Sequence, residues 1–318
     1  MKISIVIVTV LTLCTLTVIF LRYGRTKTSG ITEIEKESVD TQTKLDIENP
    51  LGDVLLTSTD TGELKITIEK STSITGSKSK LDDVFKKINV EINKKSDSFI
   101  IKVVCKDSAV LTHYGADLKL EVPKKITVVT GKSLSTRLSA VKLNEVQELS
   151  LATESGNIDI SECVVNNFFV RVMAGNISID KIKGNLTVES NSSKINIDDL
   201  EGIVKYTSDS SELSLKNAWL KSSSSFNSNS GPLNIGIRKL DQTGDYVIDS
   251  RSGNVEITLP REFEFNLDAR YGSIKNDFEI TEKEETNVSN RLVGVVGKGG
   301  PKLNIFVSEG KISLLKFN

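Results

Sequence analysis

From about residue 44 onward, apolar and polar residues alternate with a period of two. The stretches TKLDIENP, GDVLLTST, ELKITIEK, KINVEIN and SFIIKVV each present one apolar and one polar face, as half-buried strands do. Asn93 to Asp97 separates two of these runs and reads as a hairpin loop. One segment breaks the rule: in KLDDVFKK, Leu81, Val84 and Phe85 fall at helical spacing and predict a single short helix.

Beyond Leu149 the alternation becomes a repeat of turn and strand. Take as markers Gly156, Gly175, Gly184, Ser193, Gly202, Ser211, Gly231, Gly244, Gly253, Gly272 and Gly310. Two residues after each marker stands an apolar residue, and four residues after it another, with Asn276 the single exception. Apart from Ile203, Val247 and the turn residue Pro232, the intervening positions are polar. Markers 175, 184, 193, 202 and 211 are nine apart, whereas 156, 175, 193, 211, 231, 253 and 272 advance by 18 to 22 residues. That spacing predicts two strands per circuit and circuits that stack Ile on Ile in a continuous core. In SRSGNVEITLP (Ser250–Pro260), Gly253 turns a corner, Val255, Ile257 and Leu259 face in, Asn254, Glu256 and Thr258 face out, and Pro260 ends the pairing. The end circuits are edges that need covering. The amino-terminal strands are expected to supply one cap, and the strand GKISLLKF to need another.

The chain begins differently. Residues 3–21 carry no charge and match the length of ~20 residues that a helix needs to cross hydrocarbon. No small-residue cleavage site follows, so residues 1–22 are expected to form a transmembrane signal-anchor helix, residues 23–43 a polar linker, and residues 44–318 the folded domain. Arg22, Arg25 and Lys27 follow the apolar run, and by the positive-inside rule they favour a cytoplasmic domain. Large domains can cross against that rule, so the two cues conflict. Cys14 brushes against a lipoprotein signal, but Leu13 stands where a small residue is required, and a thiol within a membrane helix is the reading adopted.

Composition narrows the chemistry. In 318 residues, 41 Lys and Arg nearly balance 42 Asp and Glu, which leaves no global field for nucleic acid. One histidine, His113, and three cysteines remove most metal ligands and the usual general base. Cys105 shares a face with Phe99, Ile101 and Val103 and reads as a small buried hydrophobe. Asp159 and Asp180 invite a calcium roll, but the other outward positions hold Ser, Thr, Lys and Glu, which favours a solvated face. KSSSSFNSNSG (Lys221 to Gly231) could offer hydroxyls to a glycan, although polar turns explain it equally well. Sequons at Asn176, Asn185, Asn191 and Asn287 matter only in a glycosylating host. No catalytic, cofactor or metal residue is assigned.

SGNIDI, YVIDSRSGNVEITLP, ARYGSIK and GKGGPKLNIFVSEGKISLL together resemble the bacterial DUF4097 family, also called adhesin or toast-rack domains. ADLKLEVPKKITVVTG resembles the step that precedes the repeats in that family. The resemblance covers about residues 44 to 317 and implies a single-stranded right-handed β-solenoid of 19–20 residues per circuit, often behind a membrane anchor, with no catalytic residue. The 38 residues between Gly272 and Gly310, with acidic TEKEET, suggest a looped-out circuit. The functional expectation is a membrane-anchored, non-enzymatic binding or scaffold module outside the cytoplasm, contacting a cell-envelope glycan or another membrane protein. A regulatory partner in envelope stress and a carbohydrate-active enzyme are the alternatives.

Overall fold

The computed structural model describes residues 29–39, 41–106, 113–286 and 290–317. The apolar anchor, Cys14, the flanking Arg22, Arg25 and Lys27, and Asn287 lie outside the described residues. Among the described residues no helix is long and apolar enough to cross a membrane.

Over the described residues, the chain is all-β apart from one helix. Its first part holds β1 (Ser29–Ser38), β2 (Thr43–Glu48), β3 (Val54–Thr59), β4 (Glu63–Thr72), α1 (Lys78–Phe85), β5 (Ile88–Lys94), β6 (Ser98–Cys105) and β7 (Tyr114–Pro123). The helix falls where the Leu81, Val84 and Phe85 spacing places it; Ser77 caps it by accepting from the backbone of Lys80. The middle holds β8 (Ile126–Ser133), β9 (Leu138–Val141), β10 (Asn144–Thr153), β11 (Ile158–Ser161), β12 (Val164–Gly202), β13 (Val204–Ser208), β14 (Glu212–Leu220), β15 (Ser225–Ser228), β16 (Leu233–Leu240), β17 (Asp245–Ser250) and β18 (Val255–Pro260). After these come β19 (Phe265–Arg270), β20 (Ser273–Asn276), β21 (Ile280–Thr286), β22 (Arg291–Val296), β23 (Lys302–Val307) and β24 (Lys311–Phe317).

Through the middle, strands stack in parallel on the strand one circuit away. Leu149 pairs with Val129 and Phe168, and Tyr206 with Phe226, which pairs with Ile248. These form one stack. In the second, Ile158 pairs with Leu138 and Ile177, and Leu213 with Ile195 and Leu233. The long β12 runs round from one stack to the other and back. Both stacks turn their apolar positions inward, and Ile158, Ile177, Ile195, Leu213, Leu233 and Val255 are at most 1% exposed. Each such side chain contributes ~1.5–3 kcal/mol on full burial.

Two corner columns make the tight circuit feasible. At one, a hydroxyl three residues before the marker bonds the marker's backbone N–H: Thr153 Oγ1 accepts from Gly156 at 3.0 Å, and Ser250 Oγ from Gly253 at 3.0 Å. The marker itself lies under the rung next to it, so that a Cβ on Gly253 would sit 2.0 Å from the Gly231 carbonyl oxygen. At the other corner the backbone is left-handed at Lys142, Glu162, Lys181, Asp199 and Asn217, with φ of 53°, 54°, 51°, 50° and 52°. None of these is glycine, so each corner carries a local cost of ~1–2 kcal/mol that the stacked rungs on either side impose.

Both ends depart from the simple winding the repeat predicts. The β2–β3 pair lies between β6–β7 and β8–β9, with Leu45 paired to both Phe99 and Val129, and Val54 to both Leu118 and Leu138. At the other end β23–β24 lies between β17–β18 and β19–β20: Ile305 pairs with Ile248 and Ala269, and Ile312 with Val255 and Ile274. GKISLL is therefore an internal rung, with β20 outside it. In β20, Ile274 is only half-buried, and Asn276 bonds both the N–H and the carbonyl of Phe278 to turn the chain away, which accounts for the one exception to the apolar pattern. The segment after Gly272 includes the antiparallel strands β21 and β22, and β22 covers the outer edge of β19.

The expected linker is partly strand. β1 runs antiparallel to β4 along its whole length, and β4 in turn runs antiparallel to β7. Its only apolar residues are Ile31 and the 55%-exposed Ile34, so no alternation announces it. Ion pairs hold it in place instead: Lys70–Glu33 at 2.8 Å, Lys94–Glu37 at 3.6 Å and Lys36–Glu63 at 3.8 Å. The hairpin at residues 93–97 forms as expected, with β5 antiparallel to β6 and Lys95 N donating to the Ser98 carbonyl.

Candidate functional site

The inward positions are filled by core, so chemistry available to a partner lies on the outer faces. On the second stack, Ser139, Asp159 and Ser178 are register neighbours, and Asn196, Ser214, Asn234 and Glu256 continue the same column. Successive rungs are ~4.8 Å apart, giving a column of hydrogen-bonding side chains.

Asp159 is the most perturbed member. Burial raises its pKa, against the opposing pull of Arg137, whose Nε lies 3.0 Å away. Asp180 stands one rung on, opposite Ser161 and not opposite Asp159, with Lys181 at 3.5 Å. The two calcium candidates thus sit in neighbouring columns, each beside a cation. Among the described residues no three His, Cys, Asp or Glu side chains gather at metal-holding distance.

The serine-rich segment is mostly corner. Ser224 Oγ accepts from Val204 N at 3.0 Å and donates to the Lys221 carbonyl at 2.9 Å, and Ser228 Oγ shares a hydrogen bond with Ser208 Oγ and donates to Ser230 O. Its two most buried hydroxyls are thus committed to the fold. Asn176 and Asn185 likewise bond Asn157 and Asn167 on adjacent rungs, at 3.3 and 3.2 Å.

The first stack presents a feature that the apolar pattern conceals. In FFVRVM, Phe168, Val170 and Val172 are buried, which turns Phe169, Arg171 and Met173 outward together. Phe169 is 41% exposed and Met173 40%, bordered by Ser150 and Ala152 on the preceding rung. Leu134, 52% exposed, lies along the same corner: its carbonyl accepts from Ser155, and Glu154 accepts from Ala174. The strip is mixed, with Arg171 between Phe169 and Met173 and the exposed Glu154 rung between Met173 and Leu134.

A cleft of about 200 Å³ is lined by Ser58, Thr59, Asp60, Lys124, Asn144 and Glu145. It is smaller than the ~300–1,000 Å³ of ordinary ligand pockets. Lys124 bridges two of its lining carboxylates, 3.0 Å from Glu145 and 3.4 Å from Asp60, and hydrogen bonds to them raise its pKa. The lone tryptophan is occupied as well. Lys221 and Lys239 stand 3.5 and 3.8 Å from the Trp219 ring centre, and Nε1 donates to Asp241 at 3.3 Å.

The outer faces, the parallel stacks and the apolar turn-strand signature all run through the segment that matches the Toastrack DUF4097 family, residues 42–315. The chain belongs to that family. No curated protein matches it. Among solved structures, this DUF4097 member is similar to a Clostridium sporogenes protein named "putative cell adhesion protein", at 12% identity over 90% of this chain and 100% of that one, with a TM-score of 0.25. It is similar to a Parabacteroides distasonis "putative lipid binding protein" at 14% identity over 89% and 96%, TM-score 0.44, and to a Bacteroides fragilis "putative adhesin" at 12% over 89% and 97%, TM-score 0.38.

The thiols of this DUF4097 domain belong to the fold. Cys105, expected to be a small buried hydrophobe, is half-buried at the end of β6. Cys163 is fully enclosed: its thiol donates to the Ser161 carbonyl at 3.2 Å and accepts from Leu143 N at 3.4 Å, and burial pushes its pKa from 9.0 up to about 11. An unfolded thiol ionises first, so the folded state holds the extra proton between those values and loses stability as pH rises through them. We expect urea titrations from pH 9 to 11 to show a loss of about 2–3 kcal/mol that Cys163→Ala removes.

Proposed function

We propose that this chain is a membrane-anchored, non-enzymatic module of the bacterial cell envelope that holds its stacked sheets outside the cytoplasm as a binding or scaffold surface. The observation that carries the binding half is the outward strip of Phe169, Arg171 and Met173. Two apolar side chains with a guanidinium between them suit a ligand that offers both apolar area and an acceptor, such as an envelope glycan or another membrane protein. The uncharged stretch at residues 3–21 supports the anchor.

Two measurements test this reading. Protease applied to intact cells is expected to remove the sheets, and protection until lysis would place them inside and end the extracytoplasmic half. Purified protein is expected to be retained by isolated envelopes, with Phe169→Ser plus Met173→Ser weakening retention by roughly tenfold. Undiminished retention would take the strip out of the interface.

A further inference from the structure

The β23–β24 pair is inserted out of chain order, between two rungs that are consecutive in sequence. Its partners are β17 and β18 on one side and β19 and β20 on the other. All of those strands precede it, and β21 and β22 intervene, so nothing in the local sequence ties this rung to its slot. The fit is made by inward side chains: Leu303, Ile305, Val307, Ile312 and Leu314 are each at most 2% exposed. A second copy of the chain offers the same five side chains and the same backbone ladder.

The connection into this rung is built to change direction. Residues 297–301 read Gly-Lys-Gly-Gly-Pro, with Gly297 at φ +63° and Gly299 at φ +79°. Few bonds hold the segment: Gly299 N to the Val296 carbonyl at 3.2 Å, Asn266 Nδ2 to the Gly300 carbonyl at 2.7 Å, and Asn266 N to the Pro301 carbonyl at 3.0 Å. Glycines at such positions redirect the chain at little conformational cost. Three of the strands flanking the slot have supports of their own, β17 on β15, β18 on β16 and β19 on β22, whereas β20 pairs with β24. β19 pairs with β22 from Phe265–Val296 to Arg270–Arg291, and the Arg291 guanidinium grips Asp268 with two bonds of 2.9 and 2.7 Å.

The intercalated pair at the other end is a useful contrast. β2–β3 also sits out of chain order, but the chain on its amino-terminal side is fastened by β1 to β4 over ten register pairs. The chain on its carboxyl-terminal side continues directly into β4, which is fastened to β7. Besides its own pairings, release of β2–β3 would require unzipping those ladders, whereas β23–β24, once its own pairings to β17–β18 and β19–β20 part, needs only rotation at a glycine hinge.

We infer that β23–β24 is an exchangeable rung: residues 302–317 of one copy enter the slot between β17–β18 and β19–β20 of another, so that two copies are joined by strands each would otherwise keep. The strand pairings and buried side chains in the second copy replace identical ones given up in the first, which makes exchange a low-cost route to association. This goes beyond the proposed function and does not rest on it.

The test uses full-length protein in a Cys14→Ser, Cys105→Ser background; Cys163 is enclosed and is retained. Glu256 and Ser313 are register partners across β18 and β24, at a separation that a disulfide can bridge. Separately tagged Glu256→Cys and Ser313→Cys proteins are co-expressed and oxidised. The expected result is a covalent heterodimer, roughly tenfold more abundant than from the out-of-register pair Glu256→Cys and Lys316→Cys. A matched yield no higher than the mismatched one overturns the inference. Both cysteines placed in one chain are expected to close within that chain in the monomer fraction, and failure to close there overturns the slot register and the inference with it.

Discussion

Replacing Gly202 by alanine is expected to lower the unfolding free energy by about 3 kcal/mol, read as a shift in urea midpoint. The added Cβ would fall 1.8 Å from the Gly184 carbonyl oxygen and 2.6 Å from its carbon. Both are backbone atoms of the adjacent rung and have no rotamer through which to retreat. Gly202, unlike Gly184 or Gly231, does not have a left-handed or mirror-image φ, so the penalty isolates rung-to-rung approach from backbone strain. Gly62→Ala is the control: nothing lies within 4 Å of its Cβ position, and its effect should stay near zero. Equal midpoints for the two variants would mean that the rungs are spaced more loosely than the geometry requires.

The second large effect is expected at Phe226, which is 1% exposed in the middle of the first stack. It lies between Tyr206 and Ile248 in the column, with its ring centre 6.4 Å from that of Tyr206. Phe226→Ala should cost about 4 kcal/mol, because the removed ring leaves a void that parallel strands locked on both sides cannot close. Phe226→Leu, which keeps most of the volume, should recover at least half of that loss in the same denaturation assay. A cost below about 1 kcal/mol for the alanine variant would show that neighbouring rungs collapse into the gap.

The inward face of the stacks was legible because a two-residue period leaves little freedom: once Ile158 and Ile177 face in, Asp159 and Ser178 must face out. Other features were not. β1 escaped because Glu33, Lys36 and Glu37 hold it through ions on neighbouring strands, and such pairing leaves no period in the sequence. The left-handed corner at Lys142, Glu162, Lys181, Asp199 and Asn217 escaped because none of these residues is glycine. The places of β23 and β24 escaped because SEGKISLL reads locally like SRSGNVEITL, and no short-range pattern states which rung a strand will lie against. The outward strip was hidden for the opposite reason. Within FFVRVM, every residue but Arg171 is apolar, and only the observed register decides that Phe168 goes in and Phe169 out. The hydroxyls of Thr153 and Ser250 were visible as letters, but their partner, the N–H three residues on, becomes evident only from the backbone.

The position of β23–β24 also has a meaning in time. A ribosome delivers residues 265–276 before residues 302–317, yet the later segment lies on the inner side of the earlier one. During synthesis at ~5–20 residues per second, the strands from Phe265 to Asn276 emerge before the rung on which they will rest has been made. A nascent chain therefore passes through an interval in which its growing end is open, and the stack is completed from the inside outward by the part that is translated later.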